Sequence, residues 1–125
     1  MKLDKNWNGL VQIANGDYVL EGDLIVTEDE DLEVELDDLL VVKGMVEVKR
    51  SLIVRYGINA GCGINAGWGI KAGTYIYCKK RIFAGLSVFR TSADCDKRII
   101  CSEFLGGEIA YGELVIVQKR GNTPD

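Results

Sequence analysis

The chain of 125 residues has no histidine, a single proline and no window of convincing helical periodicity. Without histidine there can be no Ser-His-Asp or Cys-His arrangement and no imidazole proton shuttle. The usual partner ligand for zinc is missing as well. The four cysteines, Cys62, Cys78, Cys95 and Cys101, show no C-x-x-C spacing. They read as small, reduced hydrophobic residues, with a Cys95/Cys101 redox or metal pair as the alternative. Carboxylate and lysine chemistry stays open, yet no carboxylate pair sits in a recognisable catalytic setting. An enzyme is therefore not expected, and no cofactor or metal is expected. No stretch approaches the roughly 20 apolar residues of a membrane span. The first seven residues, Met1 to Trp7, lack the apolar run of a signal peptide. The expectation is a cytoplasmic protein in a bacterial host cell, with no membrane contact.

What the chain does contain is a six-residue rhythm. An aliphatic residue opens each unit at Val34, Leu40, Val46, Leu52, Ile58, Ile64, Ile70, Ile76, Ile82 and Val88. Two places on sits a second inward residue: Leu36, Val42, Val48, Val54, Ala60, Ala66, Ala72, Cys78 and Ala84, until Arg90 breaks the rule. Residues i and i+2 of a strand share a face. Each unit is thus a short strand followed by a corner, and the fold class is all-β: a single-domain parallel β-helix, or β-solenoid. With three strands per turn, one coil takes about 18 residues. Leu40, Ile58 and Ile76 should then stack, as should Val46, Ile64 and Ile82. Glycines that flank the Ile-x-Ala units at 57–73 are expected to supply positive φ at the corners.

The single domain, 1–125, divides by pattern. Residues 1–33 form an N-terminal cap and first strands, with Asn8-Gly9 and Asn15-Gly16 as turns. A loop at 28–31 shifts the phase by two residues, and residues 34–93 are the hexad coils, whose phase holds from Val34 onward. Residues 94–120 supply closing strands, so that both ends are capped, and 121–125 are a tail.

Charge is divided along the chain. Residues 1–40 carry 12 acids and two bases, a net −10, and residues 41–125 carry 7 acids and 13 bases, a net +6. Such asymmetry points to a charged partner surface or to association between copies, against the plain alternative of a solvated face. The acidic candidates for partner binding are Glu28, Asp29, Glu30, Asp31, Glu33 and Glu35. Because the interior is full, outward residues must carry any function. The aromatic candidates are Trp68, Tyr77, Phe83 and Phe89, with the last three expected on the outside of one coil. Their alternative is packing beneath residues 99–117. Lys79-Lys80-Arg81 beside Tyr77 and Phe83 mixes bases with aromatics as single-strand binders do. The acidic whole-chain balance argues against direct nucleic-acid binding. The acidic segment could instead imitate phosphates toward a basic protein.

The units Gly57-Ile58-Asn59-Ala60-Gly61, Gly63-Ile64-Asn65-Ala66-Gly67 and Gly69-Ile70-Lys71-Ala72-Gly73 resemble the G-x-I-x-A repeats of bactofilins, over roughly residues 34–89. That resemblance implies a right-handed β-helix and a self-assembling cytoskeletal role. Hexapeptide acyltransferases match less well, since they place the small residue before the aliphatic one and use a catalytic histidine. The chain also resembles short Ile-x-Ala-Gly repeat proteins of phages and mobile elements. This implies a small inhibitor of host defence, of the anti-CRISPR kind, acting by docking. The partner expected is a protein, either a host defence complex or a second copy as in a homodimer. A bactofilin-like scaffold is the alternative.

Overall fold

The computed structural model describes residues 1–85 and 97–117. Those residues form strands and no helix: β1 (Lys2–Leu3), β2 (Leu10–Gln12), β3 (Tyr18–Leu20), β4 (Leu24–Val26), β5 (Leu32–Val34), β6 (Leu40–Val42), β7 (Val46–Val48), β8 (Leu52–Val54), β9 (Ile58–Ala60), β10 (Ile64–Ala66), β11 (Ile70–Ala72), β12 (Tyr75–Ala84), β13 (Arg98–Cys101), β14 (Glu103–Tyr111) and β15 (Glu113–Ile116). They wind into a parallel β-solenoid of about five turns, with about 19 residues per turn.

Three parallel ladders build the walls. The first runs β1-β5-β8-β11-β13-β15. The second runs β3-β6-β9 into the first half of β12, and the third runs β4-β7-β10 into its second half. β12 passes through the corner without a break and joins those two walls into one nine-stranded sheet. In the regular coils the expected 18-residue stacking holds: Leu40 pairs with Ile58 and Ile58 with Ile76, while Val46 pairs with Ile64 and Ile64 with Ile82.

The strands are short because each contributes only two inward residues before the chain must turn. From β4 to β11 every strand buries its first and third residues. Ladders such as Leu32–Leu52–Ile70–Ile99 and Val34–Val54 leave no buried polar side chain among the described residues. Where the second row shrinks from valine to Ala60, Ala66 and Ala72, the first row grows only at Ile64, above Val46, because Ile58 and Ile70 stand over Leu40 and Leu52 of equal size. All six are at most 4% exposed, so the narrower coils stay closed to solvent.

Two expectations need correction. First, Val34 does not open a repeat. It is the third residue of β5, in register with Val54, and Leu32 holds the opening place opposite Leu52. Besides the loop at 28–31 there is a second insertion between β5 and β6, so Leu32 and Leu52 lie 20 residues apart and Tyr18 and Leu40 lie 22 apart. Leu36 and Leu39 are buried within that second insertion, which is why it imitates a repeat unit in sequence. Second, the glycines of 57–73 do not have positive φ; that conformation is confined to Gly9, Gly16, Gly22, Gly85, Gly107 and Gly112 among the described residues. The repeat glycines are needed for close approach. A Cβ on Gly61 would overlap the carbonyl oxygen of Lys43, and one on Gly73 would overlap that of Arg55. Coils stack so tightly at these corners that the Gly61 N–H donates to the Val42 carbonyl at 2.7 Å and the Cys62 N–H to that of Gly44 at 3.0 Å.

The two ends are built differently. β2 runs antiparallel to β3 and lies along the first edge of the second wall. At the other end, β14 and β15 stack in parallel as a last coil, each with one strand partner among the described residues. Their outer edges carry Leu105, Leu114, Ile116 and Val117, which are 38–50% exposed.

Candidate functional site

The interior is packed, so chemistry can reach only the walls and corners. Among the described residues no group of carboxylates and cysteines comes together that could hold a metal ion. Burial pushes the Cys78 and Cys101 thiols up, against backbone hydrogen bonds at Lys80 and Glu103 that act the other way. Both point inward and are packed in the core. Cys62 is half-buried at a corner. Cys95, and with it the Cys95/Cys101 pair, lies outside the described residues.

The aromatic candidates do not share one surface. Tyr77 is on the second wall above Asn59, and Phe83 is on the third wall above Asn65, round the corner from it. Both are half-buried under the last coil. Gly106 sits so close to the Tyr77 ring that a Cβ there would come within 2.6 Å, and Tyr111 is the register partner of Phe83. Packing beneath 99–117 therefore accounts for much of both rings. Phe89 lies outside the described residues. Trp68 occupies the corner between the third and first walls, where the Arg50 guanidinium lies 4.2 Å from its ring centre.

That arginine ties Trp68 to the acidic segment. Arg50 Nε is 3.8 Å from Asp31 Oδ1, and the same carboxylate oxygen accepts the Ser51 N–H at 3.0 Å. Asp31, Arg50 and Trp68 thus form one column across three coils. Neither the acidic nor the aromatic pattern singles out Arg50. The usable signal is its position, 18 residues before Trp68 at the same corner. Glu30 faces the Met1 ammonium at 2.8 Å and Glu35 faces Lys2 at 3.6 Å, so these two pin the first strand. Glu33 points outward from β5 beside Lys2, and Glu28 and Asp29 are exposed on the loop.

Charge is sorted by coil more sharply than the two halves of the chain suggest. Residues 41–85 hold eight bases and one acid, a net +7, between the acid-rich first coil and a last coil that carries both signs. One corner shows this directly. From the first coil upward it reads Glu21-Gly22-Asp23, Lys43-Gly44-Met45, Gly61-Cys62-Gly63 and Lys79-Lys80-Arg81, with Gly107-Glu108 above. The basic triplet is continuous strand, but the corners below and above it are mostly glycine. A groove of about 700 Å³ opens at this corner, lined by Asn65, Lys79, Lys80, Arg81 and Phe83, with Glu108 at its rim. Arg81 Nε lies 3.5 Å from Glu108 Oε1. Among the described residues neither Lys79 nor Lys80 is paired with a carboxylate.

Compared with models of known families, with curated proteins and with solved structures, the chain matches none.

Proposed function

We propose that this chain is a non-enzymatic binding protein that docks on a protein partner through its acid-rich first coil. The segregation of charge along the solenoid carries this reading. Carboxylates anchored to short, stacked strands present a fixed negative field, and a basic surface that normally holds nucleic acid is its complement. Exposed ion pairs such as Lys2–Glu35 are weak and leave most of that field in place. The likeness of the repeats to those of small phage and mobile-element proteins narrows the proposal to an inhibitor of a bacterial defence complex, of the anti-CRISPR kind.

The test uses cells with an active CRISPR–Cas system. Expression of the chain should restore transformation by a targeted plasmid. The triple variant Glu28→Gln, Asp29→Asn, Glu33→Gln should bind the purified effector at least about tenfold more weakly at 0.05 M salt, and the difference should vanish near 0.5 M as the charges are screened. It leaves in place Glu30, which faces the Met1 ammonium, and Asp31, which faces Arg50. Undisturbed plasmid interference would end the inhibitor reading, and unchanged affinity at low salt would end the electrostatic one.

A second reading, a bactofilin-like self-assembling scaffold, is favoured by the last coil. Its outer edges have no strand partner among the described residues and expose Leu105, Leu114, Ile116 and Val117, the kind of edge on which another copy can add strands. Light scattering and negative-stain microscopy should then show rings or filaments that grow with concentration and that Leu114→Lys/Ile116→Lys abolishes. A monomer at all concentrations would refute it.

A further inference from the structure

We infer that the groove at the Lys79-Lys80-Arg81 corner is a binding site for a nucleotide, free or within a short single strand, independent of the acidic docking surface. A ligand with phosphate and a planar base needs three things: mobile cations, an apolar ring face and an amide able to hydrogen-bond a base edge. The groove places Lys79, Lys80 and Arg81 on one side, with Phe83 and Asn65, stacked in adjacent coils of the third wall, on the other. Gly63 and Gly107 also line the space they share and present only backbone to it.

The net charge of the chain, −4, argues against any polyanion only if charges are mixed, and here they are sorted. Along this corner the nearest acids below, Glu21 and Asp23, lie three coils away, about 14 Å at a strand spacing of about 4.8 Å and beyond the Debye length of about 10 Å at 0.1 M salt. On the adjoining third wall Glu47, directly below Asn65 and two coils below Phe83, is the one nearer acid among the described residues beneath the groove. The distance to Glu21 and Asp23 limits the ligand. A long strand running along the axis would meet the acidic coil, whereas a mononucleotide, or a few nucleotides lying across the corner, stays within the basic coils. Glu108, paired with Arg81, is the one carboxylate at the site among the described residues and acts as a built-in competitor.

The experiment is fluorescence anisotropy on the full chain with two probes, a fluorescent ATP analogue and a labelled six-residue thymidine oligonucleotide. Inorganic triphosphate serves as a competitor. At least one probe should bind saturably at 0.05 M salt. Lys79→Ala/Lys80→Ala, both exposed, should weaken it about tenfold or more. For the oligonucleotide it should also make the log–log salt dependence shallower by about 1.4. Glu108→Gln should tighten binding a few-fold, a gain that misfolding cannot produce. Phe83→Leu should weaken both probes but not triphosphate. Binding of the ATP analogue marks a nucleotide site, and binding of the oligonucleotide alone marks a strand site. No saturable binding of either probe, or unchanged affinity in both the lysine and the Glu108 variants, would overturn the inference.

Discussion

Gly61→Ala separates two explanations of the repeat glycines. If glycine were present for its backbone freedom, then at a residue whose φ is not positive, alanine would stabilise by about 0.4–1 kcal/mol by restricting the unfolded chain. The structure gives the opposite sign. The new methyl would overlap the Lys43 carbonyl oxygen, a backbone atom that cannot swing aside, so two coils must part locally. Overpacking of this sort costs about 1–3 kcal/mol. Parting the coils also stretches the Gly61–Val42 and Cys62–Gly44 hydrogen bonds, at about 1 kcal/mol each. The expected loss is about 3–5 kcal/mol, a large share of the roughly 5–15 kcal/mol typical of a domain. Gly22→Ala is the control. Gly22 has a φ of 84° and nothing within 4 Å of the methyl that alanine would add, so it should show only the left-handed backbone cost of about 1–2 kcal/mol. Urea denaturation followed by circular dichroism measures both. A midpoint for Gly61→Ala at or above that of the parent would refute the close-approach account of the corners.

Other expectations follow from the core and the corners. Ile64→Ala removes a fully buried rung between Val46 and Ile82 and should cost about 2–5 kcal/mol, while Ile64→Val should cost about 0.5–1.5 kcal/mol in the same denaturation assay. Arg50→Ala removes the cation from the Trp68 ring and the partner from Asp31, and should destabilise by about 1 kcal/mol and alter tryptophan emission, with Arg50→Lys only partly restoring either. The buried thiols of Cys78 and Cys101 bind their protons more tightly when folded than when unfolded. Their contribution is complete below the ordinary thiol value of 9.0 and should be lost as pH climbs above it, and Cys78→Ala should flatten that alkaline decline. A thiol reagent at pH 8 should label Cys62 well before either of them.

The coils are legible from Leu40 onward because alternation within a three-residue strand and repetition every six residues are local properties. Ile58/Ala60, Ile64/Ala66 and Ile70/Ala72 announce their inward faces without any tertiary information. The phase fails at Val34 for an equally local reason. Val34 and Leu36 are both buried and two apart, which is what a repeat unit looks like, and only their pairing partners separate wall from loop. The role of the corner glycines is hidden for a different reason: a sequence shows that a side chain is missing, not what occupies its place.

The candidate surfaces are legible in composition and not in arrangement. Acids at 28–35, bases at 79–81 and the aromatics are all visible as residues. Yet Tyr77 and Phe83, six apart, face different walls, whereas Asp31, Arg50 and Trp68, spread over 38 positions, form one column. Sequence alone determined that this chain must wind as a solenoid, since inward alternation with frequent corners buries apolar side chains in no simpler way. Only the tertiary structure decided which outward groups meet. Neighbours across coils are set by the length of each turn, and of the two short insertions that change it, the one at 28–31 shows as a phase shift while the one between β5 and β6 is masked by Val34 and Leu36.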